Sequence, residues 1–276
     1  TATSVAATSA PAALGTPGQP WGDAERQAWR ARQRRQRSYA DDVLAPLSRL
    51  PAGLERLSYG ELDDDQRYPL QAVRTGPWRP DRPSVLVTGG VHGYETSGVG
   101  GALRFLIEHA PALAAEVNLL VAPCVSPWGY EHIQRWNPHA VDPNRAFGRP
   151  GTAAEADALT RLVAGWPAPF TAHIDLHETT DTDETEFRPA LAARDGQVFE
   201  PGHIPDGFYL VDDADNPQPD FQAAIIAAVA RVTHIAPADE RGQIIGCPAV
   251  APGVVHYPLT AWGLCASVSG ARYTTT

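Results

Sequence analysis

Two long apolar segments, residues 83–90 and 117–125, each run directly into a loop rich in glycine and polar side chains. Apolar runs of this length are typical of strands that are covered on both faces of a sheet. Helical patterns at residues 97–109 and 153–166 separate the strand segments. The alternation predicts an α/β fold with a mixed, mainly parallel sheet. Ligands in such folds bind beyond the carboxyl ends of the strands, so the loops there are the first place to look for chemistry.

Further elements and one domain boundary follow from the same patterns. Residues 1–20 are rich in Ala, Thr, Ser, Pro and Gly, which predicts a flexible tail, and residues 21–276 are expected to form a single catalytic domain. The helix at 97–109 offers Val99, Leu103, Phe105, Leu106 and Ile107 as core candidates. The remaining predicted elements are helices over residues 23–47 and 221–232, and strands over residues 169–177 and 208–211.

The charge balance excludes some classes of partner. The chain has 22 basic and 32 acidic residues, a net charge of −10, which argues against binding nucleic acid. An Arg-rich run at residues 30–37 is therefore interpreted as a solvated helix face.

No apolar stretch is long enough to span a membrane, and we expect a cytoplasmic protein, with secretion or a periplasmic location after signal removal left open. Free thiols are expected at Cys124, Cys247 and Cys265, although the last two could pair.

The first group of polar residues with chemical potential is His92-Gly-Tyr-Glu95, which directly follows the strand at residues 83–90. Imidazole nitrogen and carboxylate oxygen are both good zinc ligands, and zinc takes about four ligands from separate chain segments. This short pattern is weak by itself, because an ordinary loop histidine and a glutamate at a helix start would look the same.

The second group lies on a strand that alternates strictly between polar and apolar residues. Thr171, His173, Asp175 and His177 share one face of this strand. A polar face in a buried strand costs free energy unless its members are paired or bind a metal, although an edge strand facing solvent would also explain the pattern. We interpret His177 as a third metal ligand and Asp175 as the carboxylate that holds a ligand imidazole in the right tautomer. His173 is expected to be a hydrogen-bonded structural histidine.

The third group is a Pro-rich loop, Arg135-Trp-Asn-Pro-His-Ala-Val-Asp-Pro-Asn-Arg145, which follows Ser126-Pro-Trp-Gly-Tyr130 after another strand. The guanidinium group of arginine matches a carboxylate with two parallel hydrogen bonds. A surface loop with solvated arginines is the alternative. Its position beside the other two groups favours a role in binding.

In this order and combination the motifs resemble the zinc metallocarboxypeptidases of the carboxypeptidase A type, peptidase family M14. The resemblance rests on the intact H-G-x-E motif at His92, on Val141-Asp-Pro-Asn-Arg-Ala-Phe147, and on His177, and it covers about residues 84–276. It implies a three-layer α/β/α sandwich with a mixed, mainly parallel eight-stranded sheet. It also implies Zn²⁺ as the cofactor, and a peptide with a free terminal carboxylate as the substrate.

Transferred residue by residue, the resemblance implies that His92, Glu95 and His177 bind zinc. Asp142 would then be the carboxylate partner of a zinc-binding histidine. Arg135 would polarise the scissile carbonyl group and stabilise the oxyanion.

The resemblance also implies a set of substrate-binding residues. Asn144 and Arg145 would bind the terminal carboxylate of the substrate, and Tyr257 would correspond to the tyrosine that caps it. The family's general base is a Glu on a late strand, whereas this chain contains no Asp or Glu after Glu240. We expect that Glu directly after Thr276, so that the domain shown lacks its extreme C-terminal part. Glu178 is a poor substitute, because neighbouring residues on a strand point to opposite faces.

Two other functions are consistent with the motifs. The segment Asp175-Leu-His-Glu-Thr179 is similar to one in deacylases of N-acyl amino acids, of the aspartoacylase and succinylglutamate desuccinylase kind, whose substrates are small N-acyl amino acids. A non-catalytic zinc-binding protein is the other alternative.

The run from Asp175 to Glu186 holds six acids and could attract a basic side chain or a second metal, but a solvated acidic loop is favoured. The sequence leaves the oligomeric state open.

Overall fold

A six-stranded mixed sheet forms the centre of the computed structural model, which describes residues 14–276. With all ten strands numbered along the chain, its order is β1-β2-β4-β3-β5-β10. The neighbours β4, β3, β5 and β10 pair in parallel, whereas β1, β2 and β4 pair antiparallel. The prediction of a mixed, mainly parallel sheet is therefore confirmed for these six strands, with the antiparallel pairs at the β1 side. The strands are β1 Leu54–Asp63, β2 Arg67–Thr75, β3 Ser84–Gly89, β4 Asn118–Ala122, β5 Phe170–Leu176 and β10 Tyr273–Thr275.

A separate four-stranded sheet follows the order β6-β9-β8-β7. Two backbone hydrogen bonds between Val211 and Thr276, of 2.9 and 3.1 Å, connect its edge to the end of β10. The strands β10 and β6 also lie close together, but they form no further ladder within residues 14–276. The expected single eight-stranded sheet is thus replaced by sheets of six and four strands. The four strands are β6 Leu210–Asp213, β7 Gln243–Ile244, β8 Cys247–Ala251 and β9 Val254–Tyr257.

Helices cover both faces of the six-stranded sheet, because the strands carry buried apolar residues on both faces. Successive residues of β4 point to opposite faces: Leu119 belongs to one buried cluster and Leu120 to the other. The helix α3 packs on the first face and α6 on the second. The α-helices are α1 Asp23–Arg32, α2 Ala45–Leu47, α3 Thr96–Glu108, α4 Ala110–Leu113, α5 Pro127–His132, α6 Ala154–Ala164, α7 Arg188–Arg194, α8 Pro219–Val229 and α9 Leu259–Trp262.

The predicted apolar face of α3 is confirmed in part. Val99 and Leu106 are buried, and Leu103 and Phe105 pack against the same cluster. Ile107 is 47% exposed, because one residue beyond Leu106 the helix surface turns towards solvent.

The predicted helix over residues 23–47 is wrong in its length. The helix α1 ends at Arg32, because Gln33 has extended backbone angles (φ −70°, ψ 145°), and helical turns resume only at Ala40–Leu44. The solvated face expected for the Arg-rich run is also wrong for three of its members. Arg30 pairs with Asp64, Arg35 pairs with the fully buried Glu131, and Arg37 donates to the Thr96 hydroxyl.

The N-terminal segment docks through a cluster of tryptophans. The Trp29 ring on α1 lies 5.4 Å from Trp136 and 6.1 Å from Trp128, and Trp21 meets Trp136 edge to face at 6.1 Å. Of the predicted tail, residues 1–13 lie outside the described residues. The described part contacts the rest of the chain, since Pro20 forms a β-bridge with Asp195. The cluster places α1 against the loop that carries Arg135.

Two simpler expectations can be compared directly with the structure. All three cysteines are unpaired. Within residues 14–276 no helix has the length and apolar character needed to cross a membrane.

Replacing Trp29 by Ala tests whether α1 belongs to the cooperative fold. Trp29 is 6% exposed, and removing a large buried ring costs about 3–5 kcal/mol of the free energy of unfolding. Urea unfolding followed by circular dichroism measures the change. Gln27→Ala, at an exposed position of the same helix, should change stability by less than about 0.5 kcal/mol. Equal stabilities for the two variants would mean that α1 docks without contributing to the fold.

Glu155 should make stability depend on pH. This side chain near the start of α6 is 3% exposed, and burial raises its pKa to about 7, although a hydrogen bond from Asn137 opposes the rise. Because the pKa is higher in the folded than in the unfolded state, the neutral form of Glu155 favours folding. Its contribution to the free energy of unfolding is complete below about pH 4.5 and is lost as the pH rises through about 7.

Glu155→Gln removes the ionisation. At about pH 8.5 the variant should be more stable than the wild type by up to about 3 kcal/mol, and at about pH 5 the advantage should vanish. Urea unfolding at both pH values measures it, with the exposed Glu116→Gln as the control. A pH-independent difference would show that Glu155 does not titrate in this range.

Candidate metal centre

The candidate site lies at the carboxyl ends of the neighbouring strands β3 and β5. The loop after β3 carries His92 and Glu95, and the residue after β5 is His177. Gly93 lets this loop approach α5 closely, since a Cβ atom there would lie 1.9 Å from the backbone of Gly129 and Tyr130. Parallel pairing of β3 with β5 then brings the two segments together.

Three side chains predicted as metal ligands converge at this edge. Nδ1 of His92 lies 2.7 Å from Oε1 of Glu95, and Nδ1 of His177 lies 2.8 Å from Oε2 of the same carboxylate. One potential ligand atom from each residue lies within 4.8 Å of the others. His92 and Glu95 are buried and His177 is nearly so.

The second nitrogen of each imidazole faces another carboxylate. Nε2 of His92 lies 2.9 Å from Oδ1 of Asp142, and Nε2 of His177 lies 2.8 Å from Oδ2 of Asp175. A carboxylate in this position accepts the Nε2 proton and leaves the Nδ1 lone pair free. The roles expected for Asp142 and Asp175 agree with these contacts.

The arrangement fits a divalent metal ion. With both Nε2 atoms protonated, two Nδ1 lone pairs face the Glu95 carboxylate, and such acceptor pairs need a proton or a cation between them. Oε2 of Glu95 is buried and has no hydrogen bond of good geometry, although Nδ1 of His177 is close. Two imidazole nitrogens and one carboxylate form a ligand set that catalytic zinc sites use.

Neighbouring charges keep the carboxylates ionised. Burial by itself raises the pKa of Glu95, but positive charge beside it outweighs burial: when protonated His177 and His92 stand in place of a bound cation, the pKa falls to about 2. Burial likewise opposes ionisation of Asp142, and Arg135 and His92 hold its pKa well below the usual range.

Arg135 lies beside the three ligand candidates and is held by two carboxylates. Its Nε donates to Asp142 at 3.1 Å and its Nη1 donates to Asp183 at 3.3 Å. Asp183 also accepts from the Tyr94 hydroxyl at 2.6 Å. Sequence reasoning missed Asp183, which belongs to the acidic run expected to be solvated and is only 5% exposed.

The residues expected to bind substrate line the same cavity, whose volume is about 890 Å³. The exposed guanidinium of Arg145 donates to the Asn144 carbonyl at 2.6 Å and lies 6.0 Å from the Trp262 ring. Among the described residues it has no carboxylate partner. Asn144 is buried and its Oδ1 accepts from the Cys265 backbone at 2.7 Å, so this oxygen is already occupied. Tyr257 also lines the cavity, and its ring lies 4.8 Å from the same Trp262 ring.

His173 is a buried, hydrogen-bonded residue, as expected. Its Nε2 lies 2.9 Å from the Thr88 hydroxyl, which donates to Oδ1 of Asp175 at 2.6 Å. Burial lowers the pKa of His173 to about 4, so its imidazole is neutral.

The general base that the sequence predicts directly after Thr276 is outside the described residues and stays a prediction. Thr276 itself lines the cavity. Glu178 also lines the cavity, but its Oε2 accepts from the backbone N–H and the hydroxyl of Ser97 at 3.0 and 2.9 Å. This contact directs the carboxylate towards the start of α3.

Comparison with known sequences gives limited information. Residues 51–163 match a family described as a protein of unknown function, DUF2817. The match includes His92, Glu95, Arg135 and Asn144 but covers less than half of the chain. No curated protein matches the chain.

Comparison with solved structures shows the fold. A provisionally assigned metallopeptidase from Shewanella denitrificans OS217 matches with a TM-score of 0.58 and 24% identity, over 82% of this chain and 77% of that one. A similar protein from Shewanella amazonensis SB2B matches with a TM-score of 0.58 and 23% identity, over 82% and 80%.

A metallo-carboxypeptidase from Burkholderia cenocepacia has a TM-score of 0.55 and 16% identity, over 86% of this chain and 58% of that one. At these identities the similarity establishes that this chain has a carboxypeptidase-like α/β fold.

Proposed function

We propose that the chain is a zinc-dependent metallocarboxypeptidase that removes C-terminal residues from peptides. The observation that supports it best is the convergence of His92, Glu95 and His177, with each imidazole backed by a carboxylate. The metallopeptidase descriptions of the similar structures agree with the proposal. A zinc ion bound by these three residues would supply Lewis-acid chemistry that polarises a carbonyl group and activates water.

The chain's own residues would perform the remaining tasks. Arg145, a cation without a carboxylate partner, binds the free carboxylate at the end of the substrate. Arg135 stabilises negative charge that develops on the carbonyl oxygen, and Tyr257 closes over the bound residue. The cavity of about 890 Å³ has room for several residues of a peptide, which favours a peptide over a small N-acyl amino acid.

Mass spectrometry of the zinc-loaded protein with a mixed substrate set tests the proposal. The set contains peptides as free acids and as C-terminal amides, together with N-acyl amino acids. Loss of single C-terminal residues from the free acids alone is the expected result. Cleavage of only the N-acyl amino acids would identify a deacylase instead. Stoichiometric zinc without any cleavage by a full-length chain would favour a non-catalytic zinc-binding protein.

His177→Ala should lose the metal. Removing one of three protein ligands leaves too few donors for a stable zinc site, so the zinc content should fall well below about one per chain. Plasma mass spectrometry of the dialysed protein measures it. His109→Ala, at an exposed histidine, should keep its zinc. Full retention of zinc by His177→Ala would refute the ligand role.

Arg145→Ala should weaken substrate binding and leave the metal in place. Loss of a charge-assisted contact to the terminal carboxylate should raise KM roughly ten- to a hundred-fold for free-acid peptides. Steady-state kinetics measures KM, and the exposed Arg231→Ala is the matched control. An unchanged KM would remove Arg145 from the substrate site.

A further inference from the structure

Arg135 is held from two sides, by its own loop and by the helical turn after β5. Asp142, seven residues further along the same loop, accepts from its Nε at 3.1 Å. Asp183, from the helical turn after β5, accepts from its Nη1 at 3.3 Å. Both carboxylates are buried, and the Arg135 side chain is 20% exposed. Two of its three nitrogens are therefore engaged before any substrate binds.

Asp183 is itself held in place. Its Oδ2 accepts from the Tyr94 hydroxyl at 2.6 Å and from the Thr180 backbone N–H at 3.0 Å, which leaves Oδ1 for Arg135. The Tyr94 ring is 5% exposed and packs against Phe187, with ring centroids 4.5 Å apart.

The third nitrogen of Arg135, Nη2, has no protein partner among residues 14–276. Arg135 lines the cavity that also contains His92, Glu95 and His177. A donor that stabilises a developing oxyanion is effective when its direction is set in advance, because reorientation during the reaction costs free energy. Contacts at Nε and Nη1 restrict the guanidinium plane and thereby the direction of Nη2.

We propose that Tyr94 and Asp183 are positioning residues: Tyr94 holds Asp183, and Asp183 with Asp142 fixes Arg135 so that its free nitrogen faces the reacting carbonyl. The inference rests on the proposed function, in which Arg135 stabilises the oxyanion. It also explains the placement of Tyr94 inside the His92-Gly-Tyr-Glu95 motif, where the same short loop supplies two ligand candidates and the hydroxyl that organises Arg135.

Asp183→Asn and Tyr94→Phe test the proposal with little change in volume. Displacement of a transition-state donor lowers kcat without weakening ground-state binding. For Asp183→Asn, kcat should fall roughly ten- to a hundred-fold, with KM within about twofold of the wild type and the zinc content unchanged. Tyr94→Phe should lower kcat roughly ten-fold, which is the loss expected for one hydrogen bond to a charged group.

A second measurement reports on Arg135 itself and needs no activity. In zinc-loaded, ¹⁵N-labelled protein, the Nε–H signal of Arg135 is identified by its absence in Arg135→Ala. We expect slow hydrogen exchange in the wild type. In Asp183→Asn and Tyr94→Phe the signal should exchange at least several-fold faster, because the guanidinium moves more freely.

Matched controls separate positioning from general destabilisation. Glu186→Gln changes an exposed acid in the same turn as Asp183, and Tyr59→Phe removes a buried hydroxyl without a hydrogen-bond partner, outside the residues that line the cavity. Both should keep wild-type kcat and wild-type Arg135 exchange. In the Arg135→Ala background, Asp183→Asn should cause no further loss of kcat, because it acts through Arg135.

The outcomes distinguish this inference from the proposed function. If Arg135→Ala lowers kcat while Asp183→Asn and Tyr94→Phe keep wild-type kinetics and exchange, the inference is overturned and the role of Arg135 stands. A further loss of kcat in the double variant would also overturn it. If Arg135→Ala leaves kcat unchanged, the proposed role of Arg135 itself has failed.

Discussion

One carboxylate, that of Asp142, connects the parts of the candidate site. Its Oδ1 accepts from Nε2 of His92 and from the backbone N–H of Asn144, both at 2.9 Å, and its Oδ2 accepts from Nε of Arg135. A single side chain thus orients a ligand candidate, starts the turn that presents Arg145, and fixes the cation beside the cavity. Its burial would destabilise the charge, but Arg135 and His92 compensate. Loss of this carboxylate would remove one hydrogen bond each from His92, from the Asn144 backbone and from Arg135.

The loop that carries Asp142 depends in turn on the N-terminal segment. Trp136, next to Arg135, is enclosed by Trp21 and Trp29, and the Arg194 guanidinium lies 4.7 Å from its ring. Arg26 of α1 donates to the carbonyl oxygens of His139 and Ala140 at 3.3 Å. The N-terminal segment, which the family resemblance does not cover, therefore contacts the loop that carries Arg135 and Asp142. Its aromatic packing supplies rigidity that the polar loop cannot provide by itself.

The sequence predicted the parts of the site that obey local periodicity. Alternation along residues 171–177 placed His173, Asp175 and His177 on one face, and strand ends placed His92 near His177. Asp183 was missed because its partners, Tyr94 and Arg135, lie 89 and 48 residues away, and nothing in the acidic run marks Asp183 as buried. The division into two sheets was missed for a similar reason, since strand pairing between segments distant in sequence leaves no local pattern.

A second group of metal-type donors shows why donor identity alone does not define a metal site. His173, Asp175 and Cys265 also place ligand atoms within 4.8 Å of one another, and all three are buried. The hydroxyl of Thr88 lies between them: it donates to Asp175, pairs with His173 and lies 3.6 Å from Sγ of Cys265. These groups satisfy one another through hydrogen bonds, so a cation would have to break three of them to enter. At His92, Glu95 and His177 the imidazole nitrogens and the carboxylate oxygens face one another directly, and this difference, visible only in three dimensions, favours that group as the candidate metal site.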